Sequence, residues 1–559
     1  METRSNHRGR AGNRGRLLRG RTGRDAAATA AACLAQSWLP EALERRLVFA
    51  AGVAPALGMN LDQVVDYGAA WTFTDAFKSS RDWMTLSYNT ATGVESFEGG
   101  GTASVDAKGW PVELKSWTNE VGQTVRQRLA TLMYRSIGGN YPAGTYRAQW
   151  RGTGAVAFGY DATVIASGTH PDGTHWAELN VTPSSEGILL KINDMPPVED
   201  PTGVNPPAAD PIRDVHVWVP DYNGKSFVGQ VWQPPTPAQS PTPENPAGVP
   251  ASPGSDFSPF HPLFIERLSP FRTLRFMDWA RTNTSTNTTW AARREWDEAN
   301  QTGADNKGVA LEYMVALANE INADAWFNMP YLADDEFVRN FATYVRDNLE
   351  LGLKANVEWS NEVWNSAAAF HTYGWVTAQL ALPENAGVTR YQFVAREAKR
   401  DFGIWSDVFA AQPSGRLVRV VAGQAANPSG VTEAILKNME GKFDAVAATG
   451  YFGLSTAQRA SFDASTTAED VAKAVLANVP SATKGLKAHQ LLAQQYGGGR
   501  DVKTYAYEAG QHADGQGNAN LAYLGALHAA QTHPLMYEAY DDWLRSFYEM
   551  GGDLGMHYT

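Results

Sequence analysis

The stretch Ala355-Asn356-Val357-Glu358-Trp359-Ser360-Asn361-Glu362-Val363-Trp364-Asn365 begins like a β-strand and is interrupted by a polar pair, Asn361-Glu362, flanked by Trp359 and Trp364. A strand ending in a carboxylate suits a (β/α)8 barrel, where chemistry sits at the carboxyl ends of parallel strands. Seven other segments read as strands of the same barrel, several with polar or aromatic residues at or just beyond their ends. Leu57–Leu61, Thr273–Trp279 and Ala325–Met329 precede this stretch, which makes it the fourth strand. Leu417–Val421, Asp444–Ala448, Thr504–Glu508 and Leu554–Tyr558 follow it. Between strands, Val309, Leu311, Met314, Leu317 and Ile321 fall near a 3.6-residue period, and Asp335–Leu349 obeys the same rule. Strand and helix in alternation imply a parallel sheet, so the expected fold class is α/β, a TIM barrel.

The gap between the first and second strands is too long for a loop. Gly144–Trp150, Gly187–Ile192 and Val215–Val219 read as strands within it, which predicts an inserted β-sandwich over residues 91–232. Such a module fits either a carbohydrate-binding role or a structural cap. Residues 233–259, rich in Pro, Ser, Thr and Ala, read as an extended linker, and residues 51–90 with 260–559 as the barrel.

Residues 1–50 start with eight Arg against one acid by residue 24 and continue through an Ala-rich run. Their Leu43-Glu44-Arg45-Arg46-Leu47 resembles part of the leader of certain bacterial cell-surface proteins, and a disordered basic tail is the alternative. The chain stops at Thr559 directly after the eighth strand, so the reading is either a truncated sequence or cover supplied from Cys33–Ala50.

With a formal net charge of −12 despite that basic start, the body is acidic and nucleic acid is an unsuitable partner. A single cysteine, Cys33, leaves no disulfide framework or cysteine-based metal cluster, and the 11 His form no His-Glu-x-x-His pattern, so no metal or cofactor is expected. No apolar run reaches the roughly 18–20 residues of a membrane-spanning helix. The 18 Trp suit stacking on sugar rings as well as packing.

Cleaving a glycosidic bond takes one carboxylic acid to protonate the leaving oxygen and a second carboxylate across the sugar. Glu362 closes the fourth strand, and Glu508, in Tyr505-Ala506-Tyr507-Glu508-Ala509-Gly510-Gln511-His512, closes the seventh. Glu358, on the same strand as Glu362 but deeper, is read as a buried ion-pair partner. Asn319-Glu320 repeats the dipeptide on a helix and is read as exposed.

These motifs resemble the clan A superfamily of retaining glycoside hydrolases, in which an Asn-Glu pair ends strand four and another Glu ends strand seven. Leu274–Trp279, Trp326–Pro330 and Ser360–Asn365 resemble more closely a group of bacterial proteins labelled cellulose-binding, over residues 55–559. The resemblance implies Glu362 as acid/base, Glu508 as nucleophile, Asn361 on the sugar's 2-hydroxyl and Arg275 steadying the nucleophile. It also offers Tyr451 after strand six and His557 or Tyr558 after strand eight. Trp279, Trp364, His371, Trp375 and His512 are candidates to line sugar subsites from strand-end loops, with packing of the barrel rim as the alternative for each.

The expectation is a secreted or cell-surface enzyme acting on β-linked polysaccharide or oligosaccharide by double displacement, endo action being favoured over exo by the loop aromatics. A non-catalytic carbohydrate-binding surface protein and a transglycosylase are the rivals.

Overall fold

The computed structural model describes residues 56–196, 208–235, 254–302 and 305–558. The expected leader and most of the Pro-rich linker lie outside them. Eight parallel strands close a barrel in sequence order: Ala56–Asn60, Thr273–Arg275, Asp324–Met329, Ala355–Trp359, Leu417–Ala422, Ala445–Gly453, Lys503–His512 and Leu554–His557. Closure rests on the pairing of first and last strands, Ala56 opposite Leu554 through Met59 opposite His557.

Alternation along each strand sorts side chains between two cores. In the third strand Trp326 points into the barrel, where it joins Val418, Val420, Ala445, Ala447, Tyr505, Leu554 and Met556. Its neighbour Phe327 points outward against Phe341 and Trp405 of the surrounding helices. Gly58 lacks a Cβ for a physical reason: one placed there would lie 2.1 Å from the Met556 sulfur that fills this part of the interior.

Helices form where the apolar period is 3.6. Asp335–Asn348 starts from Asp334, whose side chain accepts from the Phe337 amide, and buries Phe337, Val338, Phe341, Ala342 and Val345. The longest, Ala468–Tyr496, covers the sixth and seventh strands from a Thr467–Asp470 capping box.

Two antiparallel sheets occupy the gap after the first strand. One orders Glu95–Ser96, Met84–Asn89, Thr124–Met133, Ile188–Asp194 and Ala155–Tyr160, with Ser116–Thr118 also paired to Thr124–Met133. The other orders Arg213–Trp218, Gly144–Arg151, His175–Val181 and Ala162–Thr169. Leu129, Met133, Ile188 and Leu190 of the first share one buried cluster with Tyr146, Leu179, Val215 and Val217 of the second. The sheet pairing starts at Met84, ahead of the expected boundary at residue 91, because Met84–Asn89 pairs along Val125–Ala130.

Candidate active site

The fourth strand delivers its carboxylates at two depths. Glu358 is buried inside the barrel, where its Oε2 accepts from Arg275 at 3.0 Å, Trp326 at 3.1 Å and Asn328 at 2.8 Å. Beyond Trp359 the chain leaves strand geometry, with Ser360 at φ 59° and Glu362 at φ 39°. Left-handed backbone costs a side-chain-bearing residue roughly 1–2 kcal/mol, so its surroundings must hold it. The Ser360 hydroxyl is fixed on Thr372 at 2.6 Å. The turn leaves Glu362 half-buried at the barrel mouth, its Oε1 accepting from the Tyr507 hydroxyl at 2.8 Å and its Oε2 from Asn365 at 2.7 Å.

The seventh strand uses a different device. Along the sixth strand Ala448 pairs with Ala506 but Thr449 pairs with Glu508, so Tyr507 is an extra residue in a β-bulge. Without it, consecutive side chains would point to opposite faces. With it, Tyr507 reaches Glu362 while Glu508 turns toward Arg275 and Tyr451, at 2.9 and 2.8 Å from its two oxygens.

Arg275 is the hub. Fully buried, it donates from Nη1 to Asn60 at 3.1 Å and to Glu508, and from Nη2 to Glu358 and to Asn361 at 2.8 Å. Burial alone would make this guanidinium easier to deprotonate, but Glu358 and Glu508 hold it above its ordinary value. Burial also drives the Glu508 carboxyl up to about 7; Arg275 pulls against that rise and Glu362 adds to it by like-charge repulsion. Tyr451 and Tyr507 are raised too, chiefly by burial and then by the adjoining glutamates, so both hydroxyls keep their protons at neutral pH.

A cavity of about 420 Å3 opens beside Glu362, lined by Trp364, Asn365, Gln424, Thr449 and Tyr507 among others. Of the residues expected at the site, Glu362, Glu508, Arg275, Asn361 and Tyr451 form one connected network, and Trp364 lies on the cavity wall. His512 is exposed with its ring 5.1 Å from Tyr451, and Tyr558 donates to Asp278 at 3.2 Å while its ring sits 6.3 Å from Tyr451.

Three aromatic expectations are corrected. Trp279 is only 1% exposed and packs against Phe260, Phe264 and Phe276, because the chain after Arg275 folds back over the helix side of the barrel. Trp375 packs among Tyr331, Trp359 and Phe393. His557 is turned against Tyr540 and Gly510, and burial lowers its imidazole to about 4, so it is neutral and lies behind the mouth. His371 is exposed at the start of helix His371–Leu380.

Sequence reading missed four contributors. Asn60 donates to the carbonyls of Tyr507 at 2.9 Å and His557 at 3.1 Å while accepting from Arg275. Asn283 accepts from Asn361 at 3.0 Å. Asn365 and Tyr507 hold Glu362. Asn60 and Asn365 each stand at a strand-end position already in view, a usable signal; Asn283, deep in a loop, offered none. Among the described residues no group of three or more His, Cys, Asp and Glu is placed to hold a metal ion, and no helix is long and apolar enough to cross a membrane.

No family model matches the chain, and no curated protein matches it. Among solved structures, it is similar to a GH51 arabinofuranosidase from Xanthomonas axonopodis pv. citri, with 13% identity over 54% of this chain and a TM-score of 0.35, spanning 61% of that chain's length. A GH5-4 broad specificity endoglucanase from an uncultured bacterium shares 12% identity over 52% of this chain and 74% of its own, with a TM-score of 0.28. The CBM22-1–GH10 modules of an endo-1,4-beta-D-xylanase from Clostridium thermocellum, complexed with xylohexaose, share 10% identity over 81% and 88%, with a TM-score of 0.30. Likenesses this distant decide nothing about activity, and the barrel itself is established by its strand pairing.

Proposed function

We propose that this chain is a retaining glycoside hydrolase acting on β-linked polysaccharide or oligosaccharide, at the cell surface or outside the cell. The observation that carries the reading is that carboxylates from two strands, 146 positions apart in the chain, are tied into one hydrogen-bonded network through adjacent residues: Tyr507 bonds Glu362 and its neighbour Glu508 bonds Arg275.

In this reading Glu362 protonates the glycosidic oxygen as Glu508 attacks the anomeric carbon, releasing the leaving sugar and forming a covalent glycosyl-enzyme. Glu362 then takes a proton from water, whose oxygen displaces Glu508. The donors facing Glu508, a guanidinium and a phenol, favour its ionised form against the opposing effect of burial, and the ionised form is the one that attacks. Asn361 spends one amide hydrogen on Asn283 and keeps a second for a substrate hydroxyl. Nothing favours cellulose over other β-linked glycans.

A mechanism-based fluoro-sugar followed by peptide mapping tests the assignment. Label on the peptide containing Glu508 supports it; label on another carboxylate overturns it. The rival, a barrel that binds sugar without turning it over, predicts binding with no reducing-sugar release from glucans, xylans or mannans.

A further inference from the structure

A second cavity, of about 210 Å3, lies between the inserted sheets and the loop that follows the second barrel strand. This loop also carries Asn283 to the mouth, yet the cavity shares no lining residue with the one beside Glu362. Its walls are aromatic: Trp110, Trp232 and Trp296 line it, with Trp232 stacked on Tyr313 at 4.5 Å and edge-on to Trp296 at 6.3 Å.

Polar groups on the same walls are left free. Asp75 accepts from the amides of Phe77 and Val217 and holds His216 Nδ1 at 2.7 Å. That bond occupies Nδ1, and Nε2 has no hydrogen-bond partner among the described residues. Asp214, exposed and held at φ 52° where the strand Arg213–Trp218 slips register, has no partner for its carboxylate among them either. Among the described residues the indole N–H groups of Trp110 and Trp232 have no hydrogen-bond partner either. Lys78 is committed, donating to the Glu298 carbonyl at 2.6 Å.

We infer that this seam cavity is a non-catalytic sugar site, taking one neutral sugar ring against the indole faces, with hydroxyls on Asp214 and His216. Stacking faces beside unpaired donors and acceptors match a ring that is apolar on its faces and hydroxylated at its edge. Charge fits a neutral ligand: Lys78 shares the lining with Asp75, Asp214 and Asp297, of which Asp75 is bonded to His216 and Asp297 to Lys108, so an ion of either sign would meet a like charge. The volume falls below the roughly 300–1,000 Å3 of drug-sized pockets, which fits one ring and not an extended chain. The site stands whether or not the barrel mouth turns sugar over.

The test uses the full chain carrying Glu508→Gln, with glucose, xylose, mannose, galactose and arabinose followed by saturation-transfer NMR and tryptophan fluorescence. At least one sugar should bind, persist when Trp364→Ala alters the mouth, and weaken about tenfold with Asp214→Gly or Trp296→Ala at unchanged thermal stability. Glycine suits the backbone at position 214, so that variant should fold even if Trp296→Ala does not. Absence of binding by all five sugars, binding that follows Trp364→Ala instead, binding untouched by either seam substitution, or stronger binding of choline or inorganic phosphate would each overturn the inference.

Discussion

The fourth and seventh barrel strands bring a carboxylate to the same hydrogen-bonded network by opposite means. The fourth stops at Trp359 and turns Glu362 outward through left-handed backbone, leaving it half-buried and held by neutral donors. The seventh continues to His512 and aims Glu508 inward with an extra residue, leaving it buried against a guanidinium. Two identical side chains thus receive different solvent access and different partners, the condition under which two carboxylates divide acid and nucleophile roles.

The sharpest way to break this contrast is to remove each carboxylate and vary the leaving group. Glu508→Gln should lower kcat on the order of 10^4-fold with every substrate, since both steps pass through that oxygen. Deleting Tyr507 should also lower kcat, because it removes the phenolic donor to Glu362 and the bulge that sets how Glu508 meets Arg275, although Glu508 keeps its place opposite Thr449. Glu362→Gln should cost about 10^2- to 10^4-fold with sugar leaving groups and far less with activated aryl glycosides, which depart unprotonated. Equal losses for both leaving groups would show that the two strands do not divide the work.

The barrel was legible because its signals are local. Each strand shows as a short, largely apolar run, and all eight lie within a few positions of where that pattern puts them. The sixth and seventh were read too short: they run to Gly453 and His512, beyond the point where apolar alternation fades, because they pair with each other past the barrel rim. The two strand-end glutamates were visible for the same local reason, whereas the bulge was not, since an extra residue shows only against a partner strand. Trp279 misled because a tryptophan after a strand looks the same in sequence whether it faces sugar or the helix layer.

Protonation offers a smaller effect that sharpens the same comparison. Glu508 has a folded value near 7 against an ordinary 4.5, so between these limits the folded state holds a proton that the unfolded state has released. Stability from this group is therefore full below about 4.5 and declines as pH rises to 7, by up to roughly 3 kcal/mol. Glu508→Gln should flatten that decline, so its melting temperature should gain on the parent between pH 5 and 8. In the parent, kcat/KM should fall about tenfold per unit below pH 7 as Glu508 takes up its proton. Glu362→Gln should move this acid limb to lower pH, because it removes the like charge; an unmoved limb would mean that the carboxylates do not sense each other.

The smallest expected effect bears on the residue that joins the two strands. Tyr507→Phe keeps the bulge and the ring that lies 5.0 Å from the Arg275 guanidinium, and deletes only the hydroxyl bonded to Glu362. If that hydroxyl merely fills space, kinetics should be unchanged and stability alone should fall. If it positions Glu362 for proton transfer, kcat should drop about tenfold for sugar leaving groups, the value of one hydrogen bond to a charged group, with KM and aryl glycoside turnover nearly constant. The second outcome follows from the geometry, because Asn365 alone would leave Glu362 free to rotate about its remaining bond on a turn that is already strained.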